Sequence, residues 1–360
     1  MPTTERSAVL VASRQIEMRE FPIPQAGHDD GVLEIEVTGV CGSDVFHYNQ
    51  GKAPAILGHE IVGRISDIGP GAQESWGVKA GDRVVVEATF GCGKCDRCRQ
   101  GRYRVCEVLR GYGGSVKSDQ PPYLWGGYGQ YVYLPPTSRV HKISEELSGE
   151  VAVLVCAVLG NGVRWLRTVG GVTIGDTAVI VGPGPQGLAA TVAAKESGAR
   201  HIVVVGLAGD EARLTMAQRL GATHTIAADQ EDPKSLVSDL TNGEMANVVI
   251  DVTNTAASPP LALDLVGLAG TLVLGGGAGQ KPSSLMTDKI TADEITIRGV
   301  NTHDSPAVRQ SLSIAESGRY PLDEIVSHRF AVEEAELAIQ TVAGEVPVEG
   351  LIKVVMYPNK

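Results

Sequence analysis

From Gly175 onward the chain repeats one short apolar run roughly every 20–25 residues, a spacing that leaves room for one helix between successive strands. The runs are 178–181, 202–205, 224–226, 248–251, 271–275 and 295–300. One intervening stretch begins after Asp210 and stops at Gly221, an N-terminal acid and a C-terminal glycine, the usual helix ends. Its apolar residues Leu214, Ala217 and Leu220 fall on one helical face. Strands alternating with helices predict a parallel α/β sheet, and six such strands complete a doubly wound one.

The first of these strands runs directly into Gly182-Pro-Gly184-Pro185-Gln186-Gly187. Such a glycine triplet between strand and helix permits a tight turn and close approach of a pyrophosphate to the helix N-terminus. A plain glycine-rich turn would not need the βα periods that follow. A dinucleotide site is therefore expected here, on Gly182, Gly184, Pro185, Gln186 and Gly187. An NAD site normally carries an acid at the end of the second strand, for the ribose hydroxyls. Here that position is Gly206, followed by Leu207-Ala208-Gly209-Asp210. Asp210 can serve NAD from a longer loop, and Arg213 is the local basic residue that NADP would need. NAD is the reading taken, with NADP left open.

Residues 30–150 read differently. Alternating runs at 32–37 (V-L-E-I-E-V), 61–68 and 83–88 are separated by glycine and proline, the signature of a barrel-like β domain. At 360 residues the chain is long enough for about two domains. The expected division is a β-rich domain at 1–155, completed by 303–360, and a cofactor domain at 156–302. The strand-like run 351–356 is read as returning to the first of them.

A formal net charge of −11 without a basic block argues against nucleic acid and anionic membranes as partners. The N-terminus lacks an apolar leader. The longest apolar stretch, 151–159, falls short of the ~20 residues that span a bilayer. A cytoplasmic protein is expected.

Four of the six cysteines are grouped as Cys92-x-x-Cys95-x-x-Cys98 and Cys106. Clustered cysteines in a reducing compartment read as metal ligands, and four thiolates close a tetrahedral zinc shell with no open position. A redox Cys-x-x-Cys would need a thioredoxin-like βαβ context, which this stretch lacks. The other two, Cys41 and Cys156, lie far off in sequence. A catalytic zinc takes three N or S ligands and keeps a fourth position open, and Cys41, His59 and Cys156 could supply that shell. Singly, each has an ordinary reading: a cysteine in an apolar run packs as a small hydrophobe.

The combination carries more. Gly58-His59-Glu60-Ile61-Val62-Gly63 with Gly69 and Ala72, Cys41-Gly42-Ser43-Asp44 and the lobe at 92–106 resemble, in order, the signatures of the zinc-containing medium-chain alcohol dehydrogenase family. The resemblance spans essentially the whole chain. It implies an α/β protein with a GroES-like β-rich catalytic domain and a Rossmann cofactor domain. It implies two zinc ions per chain, one held by Cys92, Cys95, Cys98 and Cys106, the other by Cys41, His59 and Cys156, with Glu60 adjacent. Ser43 matches the hydroxyl that carries the substrate proton away, and Asp44 the carboxylate that orients His59. His47 either ends this relay or is a surface histidine, since it stands one residue later than the family spacing. The implied reaction is reversible hydride transfer between an alcohol and NAD(P), with a ketone or aldehyde as product, in a homodimer or homotetramer.

Polyol and threonine dehydrogenases of the family often have Glu-Pro where this chain has Cys156-Ala157, which turns the expectation toward a secondary or cyclic apolar alcohol. Phe46, Leu57 and Trp125 point the same way unless they are core residues. The rival readings are a polyol- or threonine-type dehydrogenase, a zinc-free quinone or enone reductase, and a non-catalytic zinc-stabilised nucleotide-binding protein.

Overall fold

The computed structural model describes residues 3–51, 54–108 and 111–358. The chain forms two units: Met1–Ala157 with Asp304–Gly318 and Leu322–Lys360, and Val158–His303 with Arg319–Pro321.

The first unit is built on a seven-stranded, mainly antiparallel sheet. Its longest pairing joins Gly31–Val40 to Glu60–Ile68, and Arg83–Val86 continues the same sheet. The tail strand Lys353–Tyr357 pairs with the other side of Gly31–Val40, so the chain end completes this sheet. A smaller sheet holds Thr4–Ala12, Gln15–Pro22 and Ala55–Ile56. The alternating valines and isoleucines of these strands form the core, with Val32, Leu33, Ile35, Ile61, Val62 and Val84 all buried. Leu57 and Trp125, two of the residues that hinted at an apolar substrate, belong to this core, Trp125 packing edge-on against Tyr133.

One acid is buried in that sheet at a cost. Glu5 is 2% exposed and accepts hydrogen bonds from Ser7 Oγ and from the amides of Gln130 and Tyr131. Burial pushes its carboxyl up from 4.5 to about 6, with those three donors pulling it back. Above pH 6 the folded protein therefore carries an ionised, desolvated group, a penalty of about 2 kcal/mol. As pH falls from 6 to 4.5 the folded state takes up the proton before the unfolded one does, and the penalty disappears. The stability of Glu5→Gln minus that of the natural protein should accordingly be about 2 kcal/mol smaller at pH 4 than at pH 7.5. Urea unfolding of both proteins across this range is the check, and a pH-independent difference would refute it.

The second unit is a six-stranded, all-parallel sheet. In spatial order its strands are His224–Ala227, His201–Gly206, Thr177–Val181, Ala246–Asp251, Val266–Leu274 and Thr296–Gly299. In chain order that is 3-2-1-4-5-6, the doubly wound arrangement expected from the βα period. Helices Pro185–Glu196, Glu211–Arg219, Pro233–Leu240 and Ser258–Asp264 connect them. Asp210 does stand at the N-cap of Glu211–Arg219, and Gly221 follows its end at φ 113°. The carboxylate, however, accepts from Leu207 N at 3.1 Å rather than from the helix's own amides.

The stretch around Cys156 departs from expectation. The apolar run at 151–159 is only part of a longer helix, Gly149–Val169, whose length and composition would suffice to cross a membrane. Its most apolar window is 83% buried inside the protein, as a core helix would be. The turns Val155–Gly160 and Val163–Val169 are π-helical, a winding that single-sequence periodicity does not reveal. Gly162 lies between them: a Cβ there would come within 2.5 Å of the Ala189 backbone, so the two helices cross on a bare glycine.

Candidate functional site

The metal-ligand atoms of Cys41, His59 and Glu60 all lie within 4.8 Å of one another. Three local features bring them there. Cys41 ends the sheet strand and starts the short helix Gly42–Gln50, which carries Ser43 and Asp44 in its first turn. Gly58 adopts φ +85°, and a Cβ on it would strike the Tyr128 ring at 2.4 Å, so only glycine lets the chain turn into His59 there. Glu60 opens the strand Glu60–Ile68 and points across Gly39, whose Cβ would fall 1.9 Å from Glu60 Oε2.

A buried polar frame holds these ligands. Asp44 is completely buried; its Oδ2 accepts from Cys41 N and from Tyr128 OH, each at 2.9 Å. Its Oδ1 lies 3.4 Å from His59 Nδ1. Desolvation would raise this carboxyl, but His59 and the two donors outweigh it and hold it below the ordinary range. Burial works against a charged His59 ring, yet Asp44 and Cys41 raise its pKa well above the usual value. With Nδ1 toward Asp44, His59 keeps Nε2 for the cluster, where Ser43 Oγ stands 3.5 Å away.

Glu60 is likewise fully buried, and its Oε1 has no hydrogen-bond partner among the described residues. Its charge is met by Lys353 Nζ, 2.5 Å from Oε2 and itself only 3% exposed. Lys353 also donates to Val40 O at 2.8 Å, which ties the tail strand to the residue before Cys41. A buried acid with an orphaned oxygen, beside a thiol and an imidazole, is a donor set that suits a zinc ion.

Cys156 is not part of that cluster. It is buried in the π-helical turn Val155–Gly160, and burial first, then the charges of Glu87 and Glu60, push its thiol pKa well up. His47 is half-buried, its ring edge-on to Phe46 at 5.7 Å, and Phe46 itself is 38% exposed one helical turn from Ser43.

Cys92, Cys95, Cys98 and Cys106 form the second cluster. Sγ–Sγ separations are 3.9 Å for Cys92–Cys98 and 3.8 Å for Cys95–Cys106. A tetrahedron with ~2.3 Å zinc–sulfur bonds has edges of about 3.8 Å, so the four thiols fit one ion. Amides of Lys94 and Cys95 point at Cys92 Sγ and draw its pKa down to about 6. The lobe is anchored by Tyr103, which lies between Cys98 and Cys106. Its buried hydroxyl donates to Glu87 Oε2 and accepts from Ser305 N at 2.8 Å. Glu87, with no exposed surface, also takes Ser305 Oγ at 2.6 Å and faces His141 Nε2 at 2.8 Å.

In the other unit, Gly182 adopts φ +107° and a Cβ on Gly187 would lie 1.9 Å from Gly182 O, so both must be glycine. The helix Pro185–Glu196 starts here with Gly184 at its N-cap and no side chain bonded to its first amides. A Cβ on Gly184 would meet nothing within 4 Å. Open space over uncapped helical N–H groups is what a pyrophosphate requires. Pro185 and Gln186 are the first two helical residues. Arg213 Nη1 pairs with Asp210 Oδ1 at 3.1 Å.

Sequence reasoning did not find Tyr128, Lys353, Glu87, Tyr103 or Ser305. Each acts through a contact far away along the chain, and none stands in a recognisable spacing.

Residues 27–145 match the family described as alcohol dehydrogenase GroES-like domain, and 185–317 match zinc-binding dehydrogenase. A probable alcohol dehydrogenase of Mycobacterium tuberculosis is 38% identical over 94% of this chain and 95% of its own. Sorbitol dehydrogenase of Bacillus subtilis is 30% identical over 100% of this chain and 99% of its own. The solved alcohol dehydrogenase of Thermus sp. ATN1 superposes with a TM-score of 0.85 at 27% identity, over 98% of this chain and 99% of that one. With both zinc-type cysteine and histidine clusters in place, the chain belongs to the zinc-containing medium-chain alcohol dehydrogenase family.

Proposed function

We propose that this protein is a zinc-dependent, NAD(P)-linked dehydrogenase that interconverts a small alcohol and its ketone or aldehyde. The observation that carries the reading is the convergence of Cys41, His59 and Glu60 ligand atoms within 4.8 Å, with Ser43 Oγ beside them. Cys41, His59 and Glu60 would hold the catalytic ion, with Cys156 as a further donor, and the four-cysteine lobe a second, structural one. Bound zinc supplies Lewis acidity toward the substrate oxygen, and the nicotinamide supplies the hydride acceptor. The chain's own residues do the rest. Asp44 orients His59 and stays ionised. The exposed Ser43 hydroxyl relays the hydroxyl proton of the alcohol outward, accepting it while releasing its own to solvent. Lys353 balances Glu60, so the pocket does not hold an uncompensated carboxylate.

Phe46, exposed on the helical face of Ser43, favours a secondary or cyclic apolar alcohol, and the sorbitol-dehydrogenase relative keeps a polyol as the second candidate. The working protein is proposed to be a cytoplasmic homo-oligomer. Metal analysis is the test: two zinc per chain are expected, and dehydrogenase activity on an alcohol panel should vanish when the ions are chelated. One zinc per chain with no turnover of any alcohol would instead support a non-catalytic nucleotide-binding protein, and turnover that survives chelation a zinc-free reductase. Cys156→Ser should weaken retention of one of the two ions by at least about tenfold in chelator competition. Unchanged retention would remove Cys156 from the ligand set.

A further inference from the structure

The strand end that usually carries the ribose-binding acid is glycine here, and the structure gives the reason. A Cβ on Gly206 would lie 2.7 Å from Pro183 Cγ and 3.1 Å from Leu214 Cδ2. Pro183 sits inside the glycine turn, where its ring is rigid. The turn's own proline therefore fills the space an aspartate side chain would need, and Gly206 follows from Pro183.

Two other carboxylates surround the vacated position. Asp210 Oδ2 accepts from Leu207 N at 3.1 Å, and Asp229 Oδ1 accepts from Ala208 N at 2.8 Å. Asp229 reaches this loop from the end of the neighbouring strand: Gly206 and Ala227 are paired, and Ala228 N bonds to Gly206 O. Two loop amides that could have donated to a phosphate are thus already occupied by acids. Arg213, the basic residue nearest in sequence, is paired with Asp210. Asp210, Asp229 and the exposed Glu211 together outnumber that one guanidinium.

We propose that Asp210 and Asp229, acting in place of a strand-end acid, make this cofactor site select the dinucleotide with a free 2′-hydroxyl and reject the 2′-phosphorylated one. The inference rests on the reading of this unit as a nicotinamide-dinucleotide site and adds its selectivity. A 2′-phosphate would enter a loop whose amides are taken and whose net charge is negative, whereas a hydroxyl can donate to either carboxylate. Both acids act on the cofactor, not on the reacting atoms.

The test is direct binding, by fluorescence titration of the zinc-loaded protein with NADH and with NADPH. NADH should bind at least about tenfold more tightly, the scale of one unit charge at partly screened distance. Asp229→Asn keeps an oxygen for Ala208 N but removes the charge. It should tighten NADPH relative to NADH several-fold. Asp210→Asn with Asp229→Asn should bring the two affinities together. Equal binding of both dinucleotides by the natural protein, or an unchanged ratio in Asp229→Asn, would overturn the inference and leave the dehydrogenase reading standing. Failure of both to bind would overturn the cofactor reading and this inference with it.

Discussion

His59→Ala should lower turnover of any alcohol substrate by about a thousandfold or more, while NADH binding changes little. The ring supplies the Nε2 that faces Ser43 Oγ at 3.5 Å, and it is the only imidazole in the cluster with Cys41 and Glu60. In the proposed function, the ion held here would lose or misplace its Lewis acidity without the ring, an effect worth several kcal/mol in the transition state. A thousandfold corresponds to about 4 kcal/mol. In the function proposed above, cofactor binding would depend on the glycine turn and on the helix Pro185–Glu196, which share no residue with this cluster. Steady-state kinetics, zinc content and NADH titration on the same preparation are the check. Retained turnover with retained zinc would remove His59 from the reacting centre.

The second large effect falls on stability. Lys353→Met should destabilise the protein by about 3–5 kcal/mol, the range seen when one partner of a buried ion pair is removed. Glu60 has no exposed surface, its Oε1 has no partner among the described residues, and Lys353 Nζ is the cation against Oε2. Glu60→Gln combined with Lys353→Met should recover much of the loss, because neither charge then remains buried alone. Loading with zinc should also soften the Lys353→Met defect, since a metal ion would serve as counter-charge to the stranded carboxylate. Denaturant unfolding of the natural protein, Lys353→Met, Glu60→Gln and the double variant, with and without zinc, closes the cycle. A double variant as unstable as Lys353→Met alone would show that Lys353 acts through packing and its bond to Val40 O instead.

These two residues mark the boundary of what could be read in advance. His59 was legible because Gly58-His59-Glu60 is a local word: the glycine permits the turn and the next two residues are the donors. Lys353 was not, because its partner lies 293 positions earlier in the chain and a lone lysine in a β-run carries no signal. Asp44 was legible as a neighbour of Cys41, but Tyr128, which bonds it, was not. Leu57 and Trp125 were legible as apolar but not as core, since hydrophobicity is the same for a pocket wall and a packed interior.

The sequence by itself determined the periodic and the local: the doubly wound sheet from its βα rhythm, the tight turn from Gly182, Gly184 and Gly187, and the thiol cluster from four cysteines at close spacing. Such features need only neighbours along the chain, so spacing encodes them. The tertiary structure decided everything set by contacts at a distance. It wound the Cys156 helix into π turns, gave Glu60 its buried lysine, fixed Asp44 between an amide and a tyrosine, and excluded an acid at Gly206 by placing Pro183 against it. Each depends on which atoms the completed fold brings within a few ångströms, and linear spacing holds no record of that.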